Sequence, residues 1–445
     1  AYSSPQRYHM PGHKGRLEGP LGAIAPLDVT ELPFSDNLYM PEGILAHAQQ
    51  LMAEACGSCA AYMVTDGSSA AITVMLGAAV GRGAELICAR NIHRSVTDAC
   101  VLWDIQPVFL PPYQSERGVF LPTQPDDLEQ LLRKHPDAKA VLVTSPDYFG
   151  SVSSLEELAK TTHAHHKLLL VDEAHGAHLP YFKGLLPKGA GESGADLWVQ
   201  SMHKTMGALT QGALLHTADD TLRDKVTALL PLCCTSSPSY PIMASMDLSR
   251  KFYCCDLDRQ AFIEKIRTLR AKVSSIEGLS LFSEFEADIT RLTIDTHLRC
   301  DGKTGEKYLA DCGILIEMAD PAHLVLILTP YDTDYQPLAE ALERLPYQPE
   351  AAAFPPLPSL PDPSCRPRDA ALAEWDWMPL EQAEGRISAL NIGVYPPGIP
   401  VFCCGEKIQA EGLQYLLTMQ KQRCALFGCK GSRRCAVVKE RDEHT

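Results

Sequence analysis

No stretch of this chain approaches the roughly 20 consecutive apolar residues that a membrane-spanning helix needs. No basic segment followed by an apolar one opens it either, so no secretory leader is expected and the sequence reads as cytoplasmic. Positive charge is outweighed: the net charge is −15. That argues against nucleic acid or an anionic membrane as a partner and is compatible with a small cationic substrate. A second C-x-x-C is also missing. Cys56 and Cys59 stand alone at that spacing, in a helix-like segment, so no metal site is expected there. The 16 cysteines are scattered through a long chain, which favours reduced thiols over a disulfide framework. Cys424, Cys429 and Cys435 cluster late, beside basic residues, and point to no particular chemistry. There are no internal repeats. The chain opens on Ala1, so an initiator or further residues are expected upstream.

What is present is ordinary for a globular protein: 445 residues, 45% apolar and 21% charged, enough for two or three domains. From about residue 60 to 230, short apolar runs alternate with helix-like ones. AAYMVT, ELIC, PVFL, KAVLVTS, KLLLVD, ADLWVQS and GALLH are the strand candidates. Buried Val/Leu-rich strands separated by helices predict an α/β domain with a mostly parallel sheet and helices on both faces. With the N-terminal segment it takes up residues 1–250. Residues 251–350 read as a smaller α+β domain, 351–369 as an extended proline-rich linker and 370–445 as a small C-terminal module.

Ligands of such sheets bind at the carboxyl ends of the strands. Four segments fall there. In TDGSSAAI the chain turns through Gly67 into a helix whose free N–H groups, with the hydroxyls of Ser68 and Ser69, form a phosphate cradle. The same residues also suit plain N-capping by Asp66 or Ser68. In LLLVDEAHGAH four aliphatic residues deliver Asp172 to a strand end, where a carboxylate needs a cationic or N–H partner; a cap or structural ion pair is the alternative. In RNIHRSV, His93 sits at a strand-to-helix turn, as a capping or core residue or as a site residue. In SMHKT, Ser201 and His203 flank Lys204, which lies among small and apolar neighbours. A lysine desolvated there tends to lose its proton and become a nucleophilic amine, while a surface turn is the plainer reading.

Taken together, a phosphate cradle, a buried aspartate and a desolvated lysine are the three handles that pyridoxal 5'-phosphate requires. The lysine forms a Schiff base with the aldehyde, the aspartate keeps the ring nitrogen protonated, and the cradle anchors the phosphate tail.

These residues sit in motifs that resemble the Orn/Lys/Arg decarboxylase family. The matching pieces are YHMPGHKG at 8–15, DVTELPFSDNL at 28–38, the DGSS turn, RNIHRSV, TSPDYFG at 144–150, VDEAHGAH, SMHKTMGALTQGA and VYPPGIP at 394–400. They run from the first ten residues to about residue 406. The resemblance implies an aspartate-aminotransferase-like large domain and a decarboxylase of the compact class, dependent on pyridoxal phosphate. It implies that Lys204 is the Schiff-base lysine and Asp172 the pyridinium partner. It places His93 over the cofactor ring and His175 near its edge, with Ser68, Ser69, Ser201 and His203 around the phosphate. It implies a homodimer with a shared active site, in which CTSSPSY at 234–240 reaches the partner's phosphate through Ser236 or Ser237. Three departures stand out: TDGSS for TNGST, TSPDYFG for TSPTYDG, and CCGE at 403–406 for PGE, which leaves the role of Glu406 open.

The expected reaction is loss of CO2 from a small cationic amino acid, arginine ahead of lysine and ornithine, a ranking that comes from the resemblance. Asp28, Glu31 and Asp36 are the candidate acids for the substrate's distal cation, with loop caps as their other reading. An aminotransferase or another lyase on the same fold shares the lysine, aspartate and phosphate residues. A catalytically dead homologue is the alternative of another class, and the presence of both Lys204 and Asp172 counts against it.

Overall fold

The computed structural model describes residues 7–282, 287–348, 355–395, 398–431 and 433–440. Its largest sheet has seven strands: β1 (Ala60–Val64), β2 (Glu85–Cys88), β3 (Gln106–Phe109), β4 (Ala140–Thr144), β5 (Leu168–Asp172), β6 (Leu197–Ser201) and β7 (Ala213–Thr217). The order across the sheet is β1-β7-β6-β5-β4-β2-β3. The five strands from β6 to β3 run parallel, whereas β7 is antiparallel to both of its neighbours.

The strands are apolar throughout because both faces of the sheet are covered. Alternate residues go to opposite sides. Val141, Val143, Leu169 and Val171 face the helices Pro125–Lys134 and Leu155–Ala164. Leu142, Leu170, Val199 and Leu215 face two other helices, Gly67–Ala79 and Arg94–Trp103. A sheet closed off on both sides leaves its strand ends as the place where polar groups meet a cavity.

A second, antiparallel sheet contains β8 (Ser280–Leu281), β9 (Arg291–Asp295), β10 (Met318–Ala319) and β11 (His323–Ile327), in the order β10-β11-β9-β8. Its Leu292, Ile294, Leu324 and Leu326 share one core with the helix Arg259–Ser274 and with Leu45, Met52 and Ala53 of the early helix Ile44–Cys56. Six further strands form two three-stranded sheets: β12 (Trp375–Pro379), β13 (Ile392–Tyr395), β14 (Ile399–Phe402), β15 (Ala425–Phe427), β16 (Cys429–Lys430) and β17 (Arg434–Val438). They pack with the helix Ala410–Lys421 around Phe402, Leu416 and Met419. No helix among the described residues is long and apolar enough to cross a membrane.

Two local expectations need correction. Cys56 and Cys59 do not share a helix, because the helix ends at Cys56 and Gly57 turns the chain with φ +70°. Their thiols go separate ways, Cys56 to Gln200 Oε1 at 3.6 Å and Cys59 to Asp220 Oδ1 at 3.4 Å. The proline-rich stretch, whose residues 351–354 lie outside the described set, is bound down along its described part. Ser364 and Cys365 donate their N–H groups to Gly405 O, and Ser359 bonds Glu411. A short helix, Pro367–Leu372, begins within its last residues.

Glu406 finds its role in the same region. Its carboxylate accepts both Arg90 Nη1 and Nη2, at 2.7 and 2.8 Å, and the Cys403 N–H at 2.6 Å. Both side chains are almost wholly buried, and the Arg90 guanidinium also lies 4.3 Å over the Phe109 ring. Removing one partner of such a pair strands the other charge, at a cost of about 3–5 kcal/mol. Glu406→Ala should therefore lower the urea unfolding midpoint sharply and expose the C-terminal residues to protease. The double change Arg90→Met with Glu406→Leu should recover most of the loss, since an apolar pair leaves no buried charge. Equal destabilisation in both variants would show that the ion pair is not the cause.

Candidate active site

The parallel strands end on one side of the sheet, and β4, β5 and β6 each stop at a polar residue, β4 at Thr144. β5 stops at Asp172. β6 stops at Ser201 and runs straight into a single helical turn, Met202–Thr205, that carries Lys204. Gly67 opens the helix Gly67–Ala79 with φ +84°, a conformation that favours glycine. His93 opens the helix Arg94–Trp103. These ends surround a cavity of about 400 Å³, lined by Gly67, Ser68, Ser69, His93, Asp172, His175, His203 and Lys204. Ser201 is close in sequence but fully buried behind the wall, and its Oγ has no hydrogen-bond partner among the described residues. Ser236 and Ser237 are exposed and lie outside this cavity.

The cradle is open. Asp66, at the N-cap position, makes no side-chain cap to the helix it precedes, and instead accepts the Thr235 N–H at 3.3 Å. The first-turn N–H groups are thus left for an anion, which is what a helix start attracts. Thr144 Oγ1, another cavity group, is buried without a hydrogen-bond partner among the described residues.

Asp172 is 3% exposed, and among the described residues its carboxylate accepts one hydrogen bond, from Ala174 N at 3.1 Å. Burial pushes its pKa up, against the attraction of Lys204 and that bond. A carboxylate so poorly served suits a positive or N–H-bearing group set in front of it. Burial also pulls the Lys204 pKa down, opposed by Asp172, with Arg291 adding to the fall and Glu317 resisting it. Lys204 Nζ lies 3.1 Å from His175 Nε2.

His93 combines both of its readings. Its Nδ1 caps the following helix by accepting the Ser95 N–H at 3.2 Å, while its ring borders the cavity. Although the ring meets open space, the surrounding protein desolvates it and draws its pKa down to about 4, and positive charge on Lys204 or Arg94 acts in the same direction. It is a neutral ring at neutral pH. His203 bonds the Gly212 carbonyl through Nδ1 at 3.2 Å, and burial lowers its pKa too.

Sequence reasoning missed three residues near this centre. Glu317, just before β10, lines the cavity and accepts a 2.5 Å hydrogen bond from the Tyr148 hydroxyl. Tyr148 also packs edge-on against His175, ring centroids 5.0 Å apart. Arg291, the first residue of β9, donates from Nη2 to His175 Nδ1 at 2.8 Å. Tyr148 lay inside a quoted motif and could have been found there. Glu317 and Arg291 come from the second sheet, and nothing in their local sequence marks them. In VYPPGIP, Pro396 and Pro397 lie outside the described residues, while Tyr395 and Ile399 line the cavity.

The acids expected to meet the substrate's cation do not line this cavity. Asp28 pairs with His13 at 3.0 Å, and Glu31 accepts from the neighbouring Thr30 hydroxyl at 3.4 Å. Asp36 ties a loop, accepting the N–H groups of Asn37, Glu42, Gly43 and Leu45 at 2.8–3.1 Å. Burial is the largest single influence and raises its pKa, but the four donors together outweigh it and bring the carboxyl to about 2.

In chemical terms the cavity offers an uncapped helix start with two hydroxyls, a buried carboxylate short of donors, neutral imidazoles, and one amine among its described lining residues. That donor set fits pyridoxal phosphate, whose phosphate, ring nitrogen and aldehyde need those groups.

Comparison with known proteins agrees. Residues 22–296 match the family described as Orn/Lys/Arg decarboxylase, major domain, and residues 352–431 match its C-terminal domain. The arginine decarboxylase of Bacillus subtilis is 34% identical over 446 residues, covering 94% of this chain and 91% of that protein. Among solved structures, lysine decarboxylase A from Pseudomonas aeruginosa superposes with a TM-score of 0.83 at 18% identity, covering 98% of this chain and 79% of that one. A structure described as SPT with PLP reaches a TM-score of 0.54 at 18% identity, covering 67% and 75%. The architecture is the aspartate-aminotransferase-like one.

The loop role of Asp36 has a measurable signature. Asp36→Ala should destabilise the protein by about 1–2 kcal/mol at pH 7, the range for a lost helix cap. Because the folded pKa lies below the unfolded one, this stabilisation is complete above about pH 4 and disappears as pH falls through about 2. Urea titrations of both proteins across that range should converge at the acid end.

Proposed function

The chain belongs to the Orn/Lys/Arg decarboxylase family, and from that premise we propose that it removes the α-carboxyl group of arginine as CO2, leaving the corresponding amine. The reading is carried by one observation: a buried carboxylate, Asp172, and a desolvated amine, Lys204, open on the same cavity beside an uncapped helix start. Arginine ranks first because two relatives named arginine decarboxylase are 34% and 32% identical over 94% of the chain.

Pyridoxal phosphate, when bound, supplies an aldehyde that captures the substrate amine and a ring that accepts the electron pair left behind by CO2. The chain's own groups supply the rest. Lys204 Nζ would hold the aldehyde, and as a desolvated amine it is the group that would carry a proton to Cα. Asp172 keeps a proton on the ring nitrogen, and its burial makes that charge pairing strong. Gly67, Ser68 and Ser69 would bind the phosphate, with His203 at its side; Ser201, buried behind the wall, stays out of its reach. His93, neutral and fixed by its bond to Ser95, presents a ring face without adding positive charge. Glu317, held by Tyr148, replaces Asp28, Glu31 and Asp36 as the acid for the substrate's distal cation. The poorly solvated wall around the α-carboxylate favours loss of its charge.

A second copy of the chain completes the site in this reading, with Ser236 and Ser237 reaching its phosphate. In support, apolar side chains of the N-terminal segment stand exposed, among them Tyr8, Met10, Phe34 and Met40.

Two measurements test the proposal. Borohydride treatment of the protein loaded with pyridoxal phosphate should leave the pyridoxyl mass on the Lys204 peptide, and Lys204→Ala should carry none there; labelling at another lysine would overturn the assignment. Incubation with arginine, lysine and ornithine separately should release CO2 fastest from arginine, identified by its amine product. Amino transfer to a keto acid without CO2 would defeat decarboxylation. Glu317→Gln should raise KM for arginine about tenfold with a smaller change in kcat, the expected scale for one charge-assisted hydrogen bond.

A further inference from the structure

His175 stands between two nitrogen-bearing side chains. Arg291 Nη2 is 2.8 Å from its Nδ1, and Lys204 Nζ is 3.1 Å from its Nε2. A guanidinium only donates, and a neutral imidazole carries a single N–H. Nδ1 must therefore accept, which leaves the ring proton on Nε2, pointing at Lys204. An ammonium at Nζ would meet that N–H donor to donor. A neutral amine accepts it. We propose that Arg291 is a positioning residue: by donating to His175 Nδ1 it fixes the Nε2–H tautomer, and that tautomer holds Lys204 Nζ as a hydrogen-bond-accepting neutral amine. The inference builds on Lys204 being the reactive amine of the proposed function.

The arrangement is well anchored. Arg291 is 3% exposed, and among the described residues its Nη1 has no hydrogen-bond partner, so Nη2 to His175 is the bond that orients this fork's tip. Gly150, with φ +96°, makes room for its stem, since a Cβ there would lie 2.7 Å from Arg291 Cβ. His175 is itself buried, and burial, with the Arg291 charge acting in the same direction, holds it neutral. The groups facing Lys204 come from every side. Asp172 on β5 and Glu317 before β10 favour an ammonium, while Arg291 on β9 opposes one. His93 and His203 are neutral rings with lowered pKa. Without Arg291 the two carboxylates would act on Lys204 with no cation to balance them and no fixed donor beside it.

The first test needs no cofactor and takes its reading on the unsubstituted protein. In cofactor-free protein labelled with ¹⁵N-histidine, with His175→Gln used only to assign the signal, His175 should show the Nε2–H tautomer at pH 7. An Nδ1–H tautomer there would overturn the proposal. The second test follows reductive methylation of Lys204 with pH, read by mass spectrometry on the same cofactor-free protein. Arg291→Met should move half-labelling upward by about one pH unit, a tenfold fall in the neutral amine at fixed pH. Arg291→Lys, which keeps a cationic donor, should shift it less. An unchanged midpoint in folded Arg291→Met, or equal shifts in the two variants, would sink the idea. If Arg291→Met fails to fold, the tautomer measurement decides alone. Neither readout depends on which substrate is turned over, so failure here leaves the decarboxylase reading standing.

Discussion

The structure depends on keeping one carboxylate and one amine out of water at the edge of a sheet that water cannot reach. Asp172 and Lys204 are useful because their surroundings are poor solvents for charge. Burial raises the acid's pKa and lowers the amine's. Each then seeks a partner that the protein alone does not fully provide. The seven-stranded sheet creates that condition by covering both of its faces with helices, which confines polar groups to the strand ends. The fold's largest hydrophobic investment and its chemical centre are thus two sides of one arrangement.

The same logic explains which parts of the site could be read from the sequence. Apolar runs that end in polar residues, as in LLLVD and LWVQS, announce both a buried strand and the place where its end delivers a polar group. Asp172, Lys204 and the Gly67 turn were visible for that reason, and so was the order of elements around them. His93 was ambiguous because its two roles are compatible: the nitrogen that caps the helix is not the part of the ring that faces the cavity.

Residues that arrive by tertiary folding left no such trace. Arg291 opens RLTID, which reads only as a strand, and it reaches His175 from another sheet. Glu317 sits in an apolar context that hides its place in the cavity wall. Asp36 misled in the opposite way. It is acidic and lies within a recognisable motif, yet its oxygens are taken up by N–H groups up to nine residues further on, a capping pattern that its position just ahead of the helix Ile44–Cys56 explains. Local signals mark capping and strand ends well. They say little about which distant side chain completes a hydrogen-bonded chain.

The buried Arg90–Glu406 fork has a wider consequence. Arg90 belongs to the same short turn that presents His93, three positions later, so the far end of the polypeptide grips the very hinge on which that ring is mounted. Clipping or loosening the tail would slacken the wall of the cavity from a distance, and an otherwise intact catalytic half would hold its cofactor on a wobbling support.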